Sequence, residues 1–292
     1  MYNTCKNFVG VFAISTFVLK IIAVVTMFID HLGVTFPQTF GTEVRVIGRI
    51  AFPIFVYLLA EGFRHTKDVR KFLFRLFLFA VISEPFYDLA LRTNWADFPG
   101  GVVDGIVFVL GNISLISDTN IFYTLFLGGM AIVVYDAVHA KVLPFITQTD
   151  DPEHSYSLAV AWQSGCAAFI PCLPFMAIAE LLGTDYGAYG VVFILLMYIL
   201  NPLKLRLIAM IVLCIWQHAT LIRDTILGVA AEWYIDLNLR YLAILFTLIP
   251  VVLIWFYNGK RGGSSHKSVK WLFYASYPAH LAVYALIAFL IR

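Results

Sequence analysis

Nine stretches of this chain are long, apolar and nearly free of charge: residues 17–36, 46–63, 71–91, 121–140, 158–182, 187–201, 205–222, 239–257 and 270–291. A helix crossing a hydrocarbon core about 30 Å thick needs about 20 mainly apolar residues. Within lipid the backbone must satisfy its own hydrogen bonds, and runs of this length do so as helices. Composition removes the alternative of a soluble core. The chain is 61% hydrophobic and 13% charged, against about 45–50% and about 25% in soluble domains. At 292 residues too much surface would remain for so few polar side chains to cover. The expectation is an all-α polytopic membrane protein with about nine (8–10) transmembrane helices in one bundle. Residues 1–292 read as a single domain, with 1–18 as an N-terminal apolar extension. The sixth run is short, and 102–116, which carries Asp104 and two glycines, reads as a re-entrant or additional span.

Short loops rich in Lys and Arg stay in the cytoplasm. Three qualify: Arg64, Lys67, Arg70 and Lys71; Lys204 and Arg206; and Lys260, Arg261, Lys267 and Lys270. With nine crossings all three fall on one side, which places the N-terminus inside and makes 258–269 a basic cytoplasmic loop. That loop lacks the GxxxxGK[ST] pattern, so it is not a Walker motif. A formal charge of +2 supplies no field for nucleic acid. Cys5, Cys166, Cys172 and Cys214 have no CxxC or zinc spacing and read as small buried hydrophobes. No internal repeat marks a secondary transporter.

Ionisable groups inside spans are costly, and each is a functional candidate by default. Here they are Asp30, His31, Arg49, Glu61, Arg75, Glu84, Asp88 and His280. Helix rise converts sequence distance into depth. Lys20 to His31 is eleven residues, about 16 Å, and Lys270 to His280 is ten, about 15 Å. Two helices from opposite ends of the chain therefore place an imidazole at the bilayer midplane. Arg49 lies about 22 Å above Arg64 and Glu84 about 20 Å above Lys71, whereas Glu61 sits within about 5 Å of the inner interface. An Arg49–Glu84 ion pair is geometrically allowed. Glu61 suits a cap for the basic loop, and Arg75 suits snorkelling to the headgroups. Glu84 and Asp88 share a face at i,i+4, with Pro85 freeing a carbonyl between them. Asp30 and His31 point about 100° apart on a helix, so Asp30 pairs across to another helix rather than orienting its neighbour. An imidazole titrates near neutrality and serves as general base or acid. No Ser or Cys lies in a nucleophile turn, and no converging ligand set suggests a metal.

Five strings carry a wider resemblance: LKIIAVVTMFIDHLG (Leu19–Gly33), GRIAFPIFVYLLAEGF (Gly48–Phe63), GTDYGAYGV (Gly183–Val191), YNGKRG (Tyr257–Gly262) and FYASYPAHL (Phe273–Leu281). With these the chain resembles the TraX family, membrane proteins whose namesake acetylates the N-terminus of conjugative pilin. The family looks distantly similar to membrane acyltransferases that modify surface sugars. The resemblance implies functional positions at Asp30 and His31, at Arg49 and Pro53, at Asp185, Tyr186 and Gly187, and at His280. Pilin-modifying members tend to lack the basic tract Arg64–Lys71 and the segment ISEPFYDLA.

The resulting expectation is a transmembrane acetyltransferase of the bacterial inner or plasma membrane. It would move acetyl from cytosolic acetyl-CoA to an extracytoplasmic hydroxyl or amine on a surface glycan or protein. His31 would be the general base, with Asp30 and His280 in the catalytic set. Arg49, Glu61, Glu84, Asp185 and Tyr186 would contact substrate, and Lys260, Arg261, Lys267 and Lys270 would hold the CoA phosphates. Membrane lipid is a partner, nucleic acid is not, and a homo-oligomer is compatible with the chain. The alternatives are a proton-coupled transporter and a non-catalytic envelope assembly protein.

Overall fold

The computed structural model describes residues 13–41, 43–114, 116–146, 158–219, 237–263 and 267–292. Among these the chain is helical, apart from one bridge between Ile14 and Tyr257. The main helices are α1 (Thr16–Thr35), α2 (Ala51–His65), α3 (Val69–Tyr87), α4 (Val102–Gly111), α5 (Ile121–Ile146), α6 (Leu158–Phe169), α7 (Leu173–Leu181), α8 (Gly187–Ile199), α9 (Leu203–Gln217), α10 (Leu237–Trp255) and α11 (Lys267–Leu290). Every apolar run of the sequence contains helix. Five helical stretches, Thr16–Thr35, Arg45–His65, Ile121–Pro144, Gln163–Leu181 and Ser268–Leu290, are long and apolar enough to cross a bilayer. This is a multi-pass membrane protein.

The fifth run is helical over Leu158–Leu181 and holds the crossing-length stretch Gln163–Leu181, with a tightened turn at its middle. Pro171 and Pro174 remove helical donors, and a 3-10 turn at Ile170–Cys172 separates α6 from α7. The sequence 102–116 forms only the ten-residue α4, about 15 Å long and half of a hydrocarbon core. Val102, Val103, Ile106, Val107 and Leu110 are exposed along it, as suits a face meeting lipid. Asp68 caps α3 by accepting from the Lys71 N–H at 3.0 Å. Hydrogen bonds from the Lys71 backbone and ammonium hold its carboxyl below the ordinary carboxylate range. The cap is therefore present at neutral pH and lost as pH falls through that lowered value.

The chain forms two compact units. One comprises residues 59–81 and 114–199. There α5 packs against α6, α7 and α8, and polar groups are satisfied inside the apolar packing. Thr124 donates to Thr184 at 3.0 Å, and Asn120 donates to the Ala80 carbonyl at 2.8 Å.

The other unit comprises residues 1–58, 82–113 and 200–292, and α1 is its axis. Leu19 and Ala23 of α1 form a core with Ile50 and Ile54, covered by Phe246, Ile249 and Leu253 of α10. The turn Arg45–Gly48 lies across α1 so closely that a Cβ on Gly48 would sit 2.2 Å from Asp30 Cβ. Small residues permit such approaches where helices meet in lipid. The α11 helix lies alongside α1 in the same direction: Phe17 meets Phe273, Phe28 stacks on His280, and Phe36 meets Tyr284. First and last spans that run parallel require an odd number of crossings, and nine is one of the numbers this allows.

Two outcomes follow from this packing. Gly48→Ala overpacks the α1 contact and should cost about 1–3 kcal/mol, read as a lowered thermal midpoint of the detergent-purified protein; an unchanged midpoint would contradict the close approach. Cysteines at Ala13 and Lys260, exposed positions ahead of α1 and α11, should be labelled from the same face of sealed vesicles. Labelling from opposite faces would contradict the parallel arrangement.

Candidate active site

His31 projects from α1 and His280 from α11, each one 7% exposed. Their rings are nearly parallel, and His31 Nδ1 lies 2.7 Å from His280 Nε2. The depth count from Lys20 and Lys270 is thus met by direct contact. His280 Nδ1 lies 2.9 Å from the Ser276 carbonyl oxygen. A carbonyl only accepts, so Nδ1 of His280 carries a hydrogen. In the neutral pair His280 Nε2 is then the acceptor, and His31 Nδ1–H donates to it. The lone pair of His31 consequently lies on Nε2, available as a base. Phe28 stacks on His280 at 4.3 Å, while Tyr277 meets both imidazoles edge-on and Tyr284 meets His280. This aromatic wall restrains the rings and limits water around them.

Asp30 pairs across to a neighbouring element, as its angle from His31 requires. Its Oδ1 lies 3.6 Å from Arg45 Nε and 3.9 Å from Arg49 Nη2. Arg49 is therefore paired to Asp30 instead of forming the Arg49–Glu84 pair that depth alone allowed. The group oriented against His31 is likewise His280, not the Asp30 carboxylate. Glu84 is fully buried, as is Asp88, which accepts from Arg92 at 3.0 Å. Residues 88–92 form a widened π-helical turn shortly after Pro85, and this turn packs against both α1 and α11. Such turns recur beside functional sites.

At the start of α1 the loop after α10 folds back. Thr16 and Phe17 donate backbone N–H groups to the carbonyls of Lys260 and Arg261, both at 3.0 Å. Gly262 allows this with φ +61°, where a side chain would strike Ser15. Arg261 and Lys270 lie close enough to act electrostatically on Lys20, whose ammonium lies over the Phe273 ring. The YNGKRG segment is thus part of a cation cluster at the head of α1, beyond the topological role of a basic loop. Positive charge at a helix N-terminus opposes the helix dipole and favours an added anion. The Lys267 side chain lies outside the described residues.

Other expected positions belong to the second compact unit. Glu61 pairs with Arg64 and His65 at 3.3 and 3.6 Å, in keeping with a cap for the basic loop. Asp185 and Tyr186 form the turn before α8, where the Asp185 N–H donates to Thr119 and the Tyr186 carbonyl accepts from Gly190. Sequence reasoning missed Arg45, four residues before Arg49 and hence on its face. It also missed His218, which lies 3.0 Å from Thr247. Counting fourteen residues from Lys204 would have placed that imidazole in the far half of its span.

The tautomer assignment makes a spectroscopic prediction. Nitrogen NMR of labelled histidine should show a pyridine-type Nε2 on His31 and pyrrole-type Nδ1 on both rings, and the reverse on His31 would refute the donor order.

The chain is 26% identical over 272 residues to a protein of Dichelobacter nodosus named probable fimbrial assembly protein FimC, serogroup H1, covering 92% of this chain and 93% of that one. No solved structure matches the chain. The TraX protein family matches residues 15–288, a span containing both histidines and the cation cluster, and the chain accordingly belongs to the TraX family.

Proposed function

We propose that this protein transfers an acetyl group across the membrane, from cytosolic acetyl-CoA to a hydroxyl or amine presented from the other side. The observation that carries the reading is the buried His31–His280 pair, with its hydrogen bonds directing a free lone pair onto His31 Nε2. Bound acetyl-CoA would supply an activated thioester. Lys260, Arg261 and Lys270, with Lys20 beside them, would neutralise its phosphates at the cytoplasmic end of α1 and α11. From there to the imidazoles is about 15 Å of helix, and the two parallel helices run it side by side.

His31 Nε2 removes the proton from the acceptor as the new bond to the acetyl carbon forms. The same imidazolium returns that proton to the sulfur as the carbon–sulfur bond breaks. His280 accepts from His31 Nδ1 throughout, holding the ring's orientation and sharing its transient charge. The aromatic wall of Phe28, Tyr277 and Tyr284 keeps water from competing as acceptor. Acetyl-group transfer also accommodates the relative's name, because a modified surface subunit is one kind of acceptor in fimbrial assembly. A purely structural assembly role is the second reading, favoured by that name alone.

In vesicles given labelled acetyl-CoA and an extract of envelope acceptors, His31→Ala should lower transfer by about 10²–10⁴-fold while the protein stays folded. His280→Gln should lower it less and shift the acidic limb of the pH profile, because the second ring tunes the first. Full activity in His31→Ala would overturn the mechanism. Full complementation of a deletion strain by the His31→Ala/His280→Ala variant would favour the structural role.

A further inference from the structure

The short connection between α1 and α2 brings Arg45 and Arg49 down onto Asp30, beside the histidine pair. Cationic residues gather on the cytoplasmic side of membrane proteins, yet these two enter from the opposite end of α1 to Lys20, Arg261 and Lys270. They are paired to a single carboxylate atom, at 3.6 and 3.9 Å, too far for a hydrogen bond. Asp30 Oδ1 and Arg45 Nε are buried and without hydrogen-bond partners among the described residues. The other carboxylate of the connection, Glu43, lies against Gly41. At Asp30 itself two guanidinium groups face one carboxylate oxygen, neither at hydrogen-bond distance.

The side chains of Arg45 and Arg49 remain 40% and 27% exposed, so their forks are accessible. Nearby, Thr247 donates to the Ala243 carbonyl at 2.7 Å and so accepts from His218 Nε2–H. Arg49 acts electrostatically on that imidazole, and Arg45 acts on His31. The cluster therefore borders the proposed base on the side opposite the donor's cations.

Resting on the acetyl-transfer reading, we propose that Arg45 and Arg49 form the acceptor subsite and that the acceptor carries an oxyanion, a phosphate or a carboxylate, close to the group that is acetylated. Planar guanidinium forks match both anions bidentately. An incoming oxyanion would supply the hydrogen bonds that Asp30 leaves unmade.

The test is thermal unfolding of the full chain in detergent, titrated with sodium phosphate or sodium acetate against sodium chloride at equal ionic strength. Phosphate or acetate should raise the melting midpoint beyond chloride, and the more effective anion identifies the acceptor's charged group. Arg45→Gln/Arg49→Gln should lose or reduce the shift, whereas Lys141→Gln, at an exposed position of α5, should keep it. No shift beyond chloride in the wild type overturns the proposal. So does a shift that survives undiminished in the Arg45→Gln/Arg49→Gln variant. If the double glutamine variant does not fold, Arg49→Lys keeps the charge without the fork and should need several-fold more phosphate for the same shift; an unchanged titration counts against the subsite. No acyl donor is present in these titrations. Anion binding without acetyl transfer would thus retain the subsite and refute the reaction, and transfer without anion binding would do the reverse.

Discussion

Two imidazoles buried among hydrocarbon side chains have few ways to satisfy their ring nitrogens, and in this protein each supplies part of the other's solution. Leaving such a group unpartnered costs about 1–3 kcal/mol, whereas an interhelical hydrogen bond within a membrane contributes on average about 0.6 kcal/mol. The His31–His280 contact is therefore a constraint on arrangement more than a source of stability. It requires α1 and α11 to lie side by side at one register, and the Phe17–Phe273, Phe28–His280 and Phe36–Tyr284 contacts maintain that register. The direction of both helices, the odd number of crossings and the cation cluster at their common end all accompany this pairing.

The same constraint separates the two charged regions. Lys20, Arg261 and Lys270 stand about eleven residues below the imidazoles, and Arg45 and Arg49 meet Asp30 directly beside them. A donor and an acceptor arriving from opposite faces would each meet positive charge, with a neutral base between. The Asp30 carboxylate moderates one of these regions without cancelling it. The π turn at Asp88–Arg92 closes the other flank of the pair, with its own acid internally matched to Arg92.

Much of this was legible in the sequence. Apolar runs located the helices because lipid requires long, self-satisfied backbone segments. The depth count selected His31 and His280 because helix rise is nearly constant along each span. It allowed an Arg49–Glu84 pair because depth carries no angular or lateral information and does not choose among partners. The span expected over 158–182 is present, with a 3-10 turn at Ile170–Cys172 beside Pro171 and Pro174, a detail that a hydropathy run does not register. Arg45 escaped notice because it lies just before an apolar run, and only the close approach over Gly48 carries it to Asp30.

What the sequence determined by itself was the membrane environment and the helical class, together with an expected order of depth for the ionisable groups inside its apolar runs. These depend on hydrophobicity and helix geometry, which are local properties. The tertiary structure decided which groups touch: His280 against His31, Asp30 against Arg45 and Arg49, and the YNGKRG carbonyls against the first N–H groups of α1. Those choices depend on helix rotation and neighbour order, which emerge only when residues some 250 positions apart are packed against one another.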